Sequence, residues 1–129
     1  MVLDTSALLA ILQDEPERRR FNEAIEGAHQ VVLSTASFVE ASIVIEVRYG
    51  AEGARDLDLF IERAGIDLVP VDTAQARAAC RAYSRFGKGR HRAGLNFGDC
   101  FAYALASVRR EPLLCKGDDF RHTDLAVEP

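Results

Sequence analysis

Val2-Leu3-Asp4-Thr5-Ser6-Ala7-Leu8-Leu9-Ala10-Ile11-Leu12 compresses a strand, a carboxylate and a helix into eleven residues. Val2-Leu3 reads as a short buried strand that Asp4 terminates, and the apolar run from Ala7 to Leu12 favours a helix. The alternation continues outward from there. Asp14-Glu15-Pro16-Glu17 carries the signals of a helix start, which predicts a second helix to about Gly27. Val31-Val32-Leu33 predicts a second strand, followed by helices over 36–48 and 52–64. Ile66 to Val71 predicts a third strand, and Asp72-Thr73-Ala74-Gln75 opens the next helix with a capping-box pattern. A helix over Phe97 to Arg109, a strand at Pro112 to Cys115 and a short strand at Ala126-Val127 complete the chain. Short apolar strands alternating with helices imply an α/β fold whose parallel sheet is covered on both faces. With 129 residues and no linker-like stretch, one domain over 1–129 is expected. Ligands of such sheets gather beyond the carboxyl ends of the strands. Asp4, the segment after Leu33, Asp72, and Lys116 to Asp119 all occupy that kind of position.

Composition narrows the function classes. Hydrophobic residues make up 48% of the chain, enough for a packed core and too many for global disorder. The longest apolar run, Cys100 to Ala106, has seven residues, against the roughly 20 that a membrane helix needs. The opening Met1-Val2-Leu3-Asp4 lacks a basic and then apolar stretch, so no signal peptide is expected. Cys80, Cys100 and Cys115 stand far apart without a C-x-x-C pair. This argues against a disulfide framework or a zinc site and suits a reducing cytoplasm. The net charge is −4, yet Thr73 to Gly98 contains no acid and six bases: Arg77, Arg81, Arg85, Lys88, Arg90 and Arg92. Arg77, Arg81 and Arg85 share a helix face at i, i+4, i+8 spacing. Gly87 to Gly94 reads as a flexible basic loop. A basic stripe on an acidic protein fits a surface that steers a polyanion; the plainer alternative is a solvated helix face.

Several carboxylates stand where apolar residues are expected. At about 100° per residue, Glu40 projects between Ala36, Ile43, Val44 and Val47. Its plainer role is a capping box in Ser37-Phe38-Val39-Glu40. Asp99 is the only charged residue between Phe97 and Val108, where the plainer role is a favourable charge in the first turn of a helix that Asn96 caps. Asp4 serves equally as an N-cap, and Asp118 and Asp119 as turn residues. Together these readings send acids from four separate segments toward one crevice. Carboxylates so placed repel one another and raise each other's pKa. A hard divalent cation such as Mg²⁺ or Mn²⁺ removes that conflict and suits phosphoryl chemistry, with no side-chain nucleophile or organic cofactor.

Four motifs in order carry a family resemblance: Asp4-Thr5-Ser6-Ala7-Leu8, Glu40 in Ser37-Phe38-Val39-Glu40, Asp99 in Leu95-Asn96-Phe97-Gly98-Asp99-Cys100, and Leu113-Leu114-Cys115-Lys116-Gly117-Asp118-Asp119-Phe120. The chain resembles PIN-domain ribonucleases of the VapC toxin family over essentially its whole length. The resemblance implies a three-layer α/β/α sandwich with a central parallel sheet. It implies a toxin of a type II toxin–antitoxin system: a Mg²⁺- or Mn²⁺-dependent endoribonuclease that cuts specific RNA with metal-activated water. A homodimer and a cognate VapB-type antitoxin are implied as well. Asp4, Glu40 and Asp99 match the three core acids, with Asp4 and Asp99 as direct metal ligands. Thr5 or Ser6 matches the hydroxyl residue that supports Asp4 or a metal-bound water. Many relatives carry an Asp where this chain has Gly117, so the fourth acid falls to Asp118 or Asp119, with Asp118 favoured. The six basic residues become candidates for RNA phosphates.

Three other readings compete. A receiver-like phosphoacceptor module would use Asp72, but the paired acids expected after the first strand are missing. A metal-independent ribonuclease would use His29, His91 or His122, which show no pairing in the sequence. A non-catalytic PIN-like binding domain would keep the fold and the acidic crevice.

Overall fold

The computed structural model describes residues 1–129. Four parallel strands form the sheet: β1 (Val2–Leu3), β2 (Val31–Ser34), β3 (Ile66–Val69) and β4 (Leu113–Leu114), in the order β3-β2-β1-β4. Val2 pairs with Val32 on one side and Leu113 on the other. Val127 adds a single parallel bridge to Leu113, where the sequence reading expects a short final strand. Five helices cover the sheet: α1 (Thr5–Leu12), α2 (Arg18–Gly27), α3 (Thr35–Ala64), α4 (Thr73–Phe86) and α5 (Phe97–Arg109). A 3-10 turn, Asp119–His122, follows β4.

Strand side chains alternate between faces, and this alternation divides the core. Leu3, Leu33 and Leu114 pack with α1, α2 and α3 on one face. Val2, Val32 and Leu113 pack with α4 and α5 on the other. The helices between β1 and β3 therefore lie on one face, and those between β3 and β4 on the opposite one. Chain direction across the sheet reverses at β1, which leaves a crevice beyond the carboxyl ends of β1 and β4. That is where an open α/β sheet binds its ligands.

The expected helices over 36–48 and 52–64 abut without a loop. They form α3, whose halves meet at Gly50 with φ 68° and ψ −157°. That conformation is reached essentially by glycine alone. Past the kink, Gly53 lies so close to the first half that a Cβ would sit 2.6 Å from Tyr49 Cβ and 2.9 Å from Ile45 Cγ2.

Two expectations, one helix start and one loop, differ in detail. The cap expected for α2 does not form, because Asp14 adopts φ 54° and accepts from Arg18 Nη1 (3.0 Å) instead. The loop 87–94, read as flexible, is closed by hydrogen bonds from Lys88 N to Leu95 O and from Leu95 N to Phe86 O (both 2.9 Å). Ala93 is fully buried within it.

Gly50→Ala is expected to destabilise the protein by roughly 1–3 kcal/mol, the range for a side chain forced into this backbone region. Urea unfolding measures it. An unchanged midpoint would mean that the kink does not depend on glycine.

Candidate metal centre

Asp4 leaves β1 directly and caps α1. Its Oδ2 accepts from Ser6 N (3.0 Å) and from Ser6 Oγ (2.5 Å). Ser6 Oγ in turn accepts from Lys116 N (2.9 Å), just past β4. One hydroxyl thus joins the exits of the two strands that flank the crevice. Thr5, also buried, donates to Ser37 O (3.4 Å) and ties the start of α1 to α3. Asp4 is 3% exposed. Burial pushes its carboxyl up to about 6; the Ser6 bonds oppose this, and the charges of Asp99 and Glu40 add to it.

Asp99 stands in the first turn of α5. Its N–H donates to Asn96 Oδ1 (2.9 Å), and its Oδ2 accepts from Asn96 N (3.0 Å), a complete capping box. Burial raises its pKa most; the Asn96 bond opposes this, and the charges of Glu40 and Asp119 raise it further.

Glu40 reaches the same turn from α3. A Cβ on Gly98 would fall onto the Glu40 carboxylate, 2.7 Å from Cδ and 3.0 Å from Oε1. Glycine at 98 is what lets the two helices share that space. The capping box considered for Glu40 does not form. Ser34 caps α3 instead, accepting from Ala36 N (3.2 Å), and Ser37 Oγ is buried without a partner.

The adjacent Asp118 and Asp119, both exposed, face different surroundings. Gly117, at φ 88°, turns the chain after β4. Asp118 then points outward, its side chain 84% exposed beside Arg121 Nε at 3.7 Å. Asp119 is the acid whose charge reaches Asp99 and Cys115.

The charges of Glu40 and Asp99 reach Asp4, and those of Glu40 and Asp119 reach Asp99, while Asp4 and Asp99 also perform the plainer capping role. Capping uses only one oxygen of each aspartate, and Oδ1 of Asp4 and of Asp99 accepts no hydrogen bond. As the side chains stand, no three acidic, histidine or cysteine groups come within reach of a single ion. The caps draw Asp4 toward α1 and Asp99 toward α5, and like charge favours separation. The donors are hard carboxylate oxygens, and burial pushes the neighbouring Cys115 thiol up to about 12, so it stays neutral. That donor set fits Mg²⁺ or Mn²⁺ and does not fit a thiolate-bound metal.

The basic residues expected to meet phosphates are all exposed. They are not equivalent. Arg85 is engaged with Asp124 (3.5 Å) and lies over the Phe86 ring, whereas Arg77, Arg81, Lys88, Arg90 and Arg92 form no ion pair. His91 serves its own loop, accepting from Ala93 N through Nδ1 (3.0 Å). Asp72 caps α4 through Gln75 N (2.8 Å), beyond β3 at the sheet edge, so it has the structural role rather than that of a phosphoacceptor.

The fold and the sequence both have counterparts among known proteins. Residues 1–125 match the family model described as PIN domain, and the chain belongs to that family. Ribonuclease VapC30 of Mycobacterium tuberculosis is 57% identical over 127 residues, 98% of this chain and 97% of that protein. Ribonuclease VapC of Mycolicibacterium smegmatis is likewise 57% identical, over 98% of both. Within the PIN-domain family the chain belongs with the VapC ribonucleases. The fold is also that of the M. tuberculosis toxin VapC20, with a TM-score of 0.79 at 15% identity over 99% of this chain and 98% of that one. VapBC2 from Rickettsia felis gives a TM-score of 0.78 at 14% identity, over 98% of this chain and 96% of that one.

The buried Asp4 makes a signed prediction. Its folded-state pKa of about 6 lies above the ordinary 3.8, so the folded protein binds the proton more tightly. The metal-free protein therefore loses stability as pH rises through that window, on the order of 3 kcal/mol at most. Asp4→Asn keeps the cap and removes the buried charge. It is expected to raise the melting temperature in EDTA at about pH 7.5, while abolishing the rise expected when Mn²⁺ is added to the unaltered protein. A variant no more stable than the parent in EDTA would contradict the buried-charge assignment.

Proposed function

We propose that this chain is the toxin of a type II toxin–antitoxin pair, a Mg²⁺- or Mn²⁺-dependent endoribonuclease acting in the cytoplasm. The observation that carries this reading is that buried Asp4 and half-buried Asp99 are both disfavoured as bare anions, with the charges of Glu40 and Asp119 reaching them beyond β1 and β4. The names of its VapC ribonuclease relatives support it. The titles of structural neighbours such as VapBC2, which pair toxin with antitoxin, support a VapB-type partner. No helix is long and apolar enough to cross a membrane.

Asp4 and Asp99 are the residues that would hold the ion, each having one carboxylate oxygen that accepts no hydrogen bond. When bound, the ion supplies positive charge that lowers the pKa of water and offsets the charge of the scissile phosphate. Ser6, anchored by Lys116 N, fixes the Asp4 rotamer. Glu40 and Asp119 accept hydrogen bonds from water in the crevice and orient it toward phosphorus. The Lys116 ammonium cannot neutralise Asp4, because Glu15 (2.6 Å) and Glu17 (3.6 Å) hold it aside. Hydrolysis breaks the P–O3′ bond, leaving a 5′-phosphate and a 3′-hydroxyl. Arg77, Arg81, Lys88, Arg90 and Arg92 receive neighbouring phosphates, with Arg85 secondary to them. A homodimer is part of the reading. Val39, Ile43 and Val47 recur along one face of α3 at 53%, 58% and 81% exposure and offer an apolar seam to a second copy.

RNA cleavage with Mn²⁺ is the test. Asp99→Asn is expected to slow it by roughly 100-fold or more, and Asp119→Asn by about 10- to 100-fold, as loss of a supporting carboxylate does. Asp118→Asn should leave the rate unchanged. Undiminished cleavage by Asp99→Asn, or cleavage that survives EDTA, would defeat the reading.

The basic stripe has its own readout. Removing Arg77 and Arg81 together should flatten the dependence of log affinity on log salt by about 0.7 per lost phosphate contact with single-stranded RNA. Arg85→Ala should change it less. An unaltered slope in the double variant would exclude both arginines as phosphate contacts.

A further inference from the structure

Five polar or charged residues of the chain are buried: Asp4, Thr5, Ser34, Ser37 and Gln75. The first four stand at the exits of β1 and β2. Asp4 accepts from Ser6, Thr5 donates to Ser37 O, and Ser34 accepts from Ala36 N. Ser37 is the exception. It is 1% exposed, and its Oγ meets no hydrogen-bond partner. Two other buried oxygens share that description, but their side chains are engaged elsewhere: Gln75 through Nε2 to Pro70 O (3.1 Å), and Glu17 with Lys116 Nζ (3.6 Å). The side chain of Ser37 makes no polar contact at all. It does not cap α3, because Ser34 does, and it does not bond back to the carbonyl one turn earlier. An unmet buried hydroxyl bears the full cost of its desolvation, which alanine in the same place would not.

Its position relates it to two acids. Thr5, the residue after Asp4, donates to Ser37 O (3.4 Å) and seats the first turn of α1 against the first turn of α3. Glu40 follows Ser37 at i+3, one turn along the same side of α3, and its charge reaches Asp4. Thr5 Oγ1 spends its proton on the carbonyl and keeps acceptor capacity, while Oδ1 of Asp4 accepts no hydrogen bond. Two acceptors on adjoining residues and a hydroxyl that both donates and accepts are the complement of groups that a buried water takes.

We propose that Ser37 is a positioning residue of the metal centre, whose hydroxyl binds a water that also bonds the free oxygen of Asp4. The proposal rests on the metal-dependent ribonuclease reading. A carboxylate that caps a helix through one oxygen is free to pivot about that bond. A water fixed by Ser37 from the protein interior limits the pivot and sets the direction in which Asp4 presents its remaining lone pairs, the part that outer-shell partners play at metal sites. Ser37 touches neither substrate nor phosphorus and acts only through Asp4.

The test compares Ser37→Ala with the unaltered protein in three measurements: melting temperature in EDTA, Mn²⁺ affinity by paramagnetic resonance of the free ion, and RNA cleavage at fixed, subsaturating Mn²⁺ resolved into kcat and KM. Ser37→Ala is expected to melt no lower than the parent in EDTA, because it removes an unmet buried group. Its Mn²⁺ affinity should fall about 10- to 100-fold, and kcat should fall while KM for RNA holds. Ser37→Cys keeps nearly the same volume with a weaker donor and should bind Mn²⁺ with intermediate affinity; it carries the test if the alanine variant fails to fold. A serine with a merely structural role gives the opposite pattern, a lower melting temperature in EDTA with unchanged Mn²⁺ affinity, and that result would overturn the proposal. Equal Mn²⁺ affinity in all three proteins would overturn it as well. If the unaltered protein binds no Mn²⁺ and cuts no RNA, the ribonuclease reading falls and the role of Ser37 with it. If it binds and cuts, and Ser37→Ala matches it in both, only the role of Ser37 falls.

Discussion

Burial of a carboxylate at the end of β1, with further acids beside it, is the constraint on which the crevice of this molecule depends. Asp4 is almost fully buried, and its pKa is raised first by that burial and then by Asp99 and Glu40. No cationic side chain is recruited to relieve it: Lys116, the nearest by sequence to the β4 exit, is paired with Glu15 and Glu17. Leaving like charges in a poorly solvated place is unfavourable. The arrangement is understandable if something outside the chain supplies positive charge during function.

The two central aspartates serve two ends at once. Each satisfies backbone donors at a helix start, which is why both positions have adequate structural explanations when considered singly. Capping consumes one carboxylate oxygen and fixes the direction of the other. A helix N-terminus therefore becomes a device for aiming a ligand, and Asp4 and Asp99 are aimed by α1 and α5 from opposite faces of the sheet. Gly98 completes the arrangement by vacating the volume into which α3 delivers Glu40.

Much of the architecture was legible before folding. Strand and helix positions followed from apolar periodicity, and placing the site beyond the strand ends followed from the parallel alternation. Asp4 and Asp99 stood out because charge is rare in their surroundings. Other features were not legible, for identifiable reasons. Adjacent Asp118 and Asp119 differ only in the direction that Gly117 gives the chain. The six basic residues looked alike because the partner of Arg85, Asp124, lies 39 residues away. The loop 87–94 looked flexible because its glycines are visible in the sequence and its closing bonds to Phe86 and Leu95 are not.

Local spacing and composition thus suffice for the order of elements, the class of fold and the kind of chemistry. Those properties depend on which residues neighbour one another along a helix or strand, and such neighbours are written directly in the chain. Which oxygens of Asp4 and Asp99 the caps leave free, which of two adjacent acids lies toward Asp99 and which arginine is ion-paired were decided only on folding. They depend on distances between segments that are remote in sequence, and packing of the two helical layers against the sheet sets those distances.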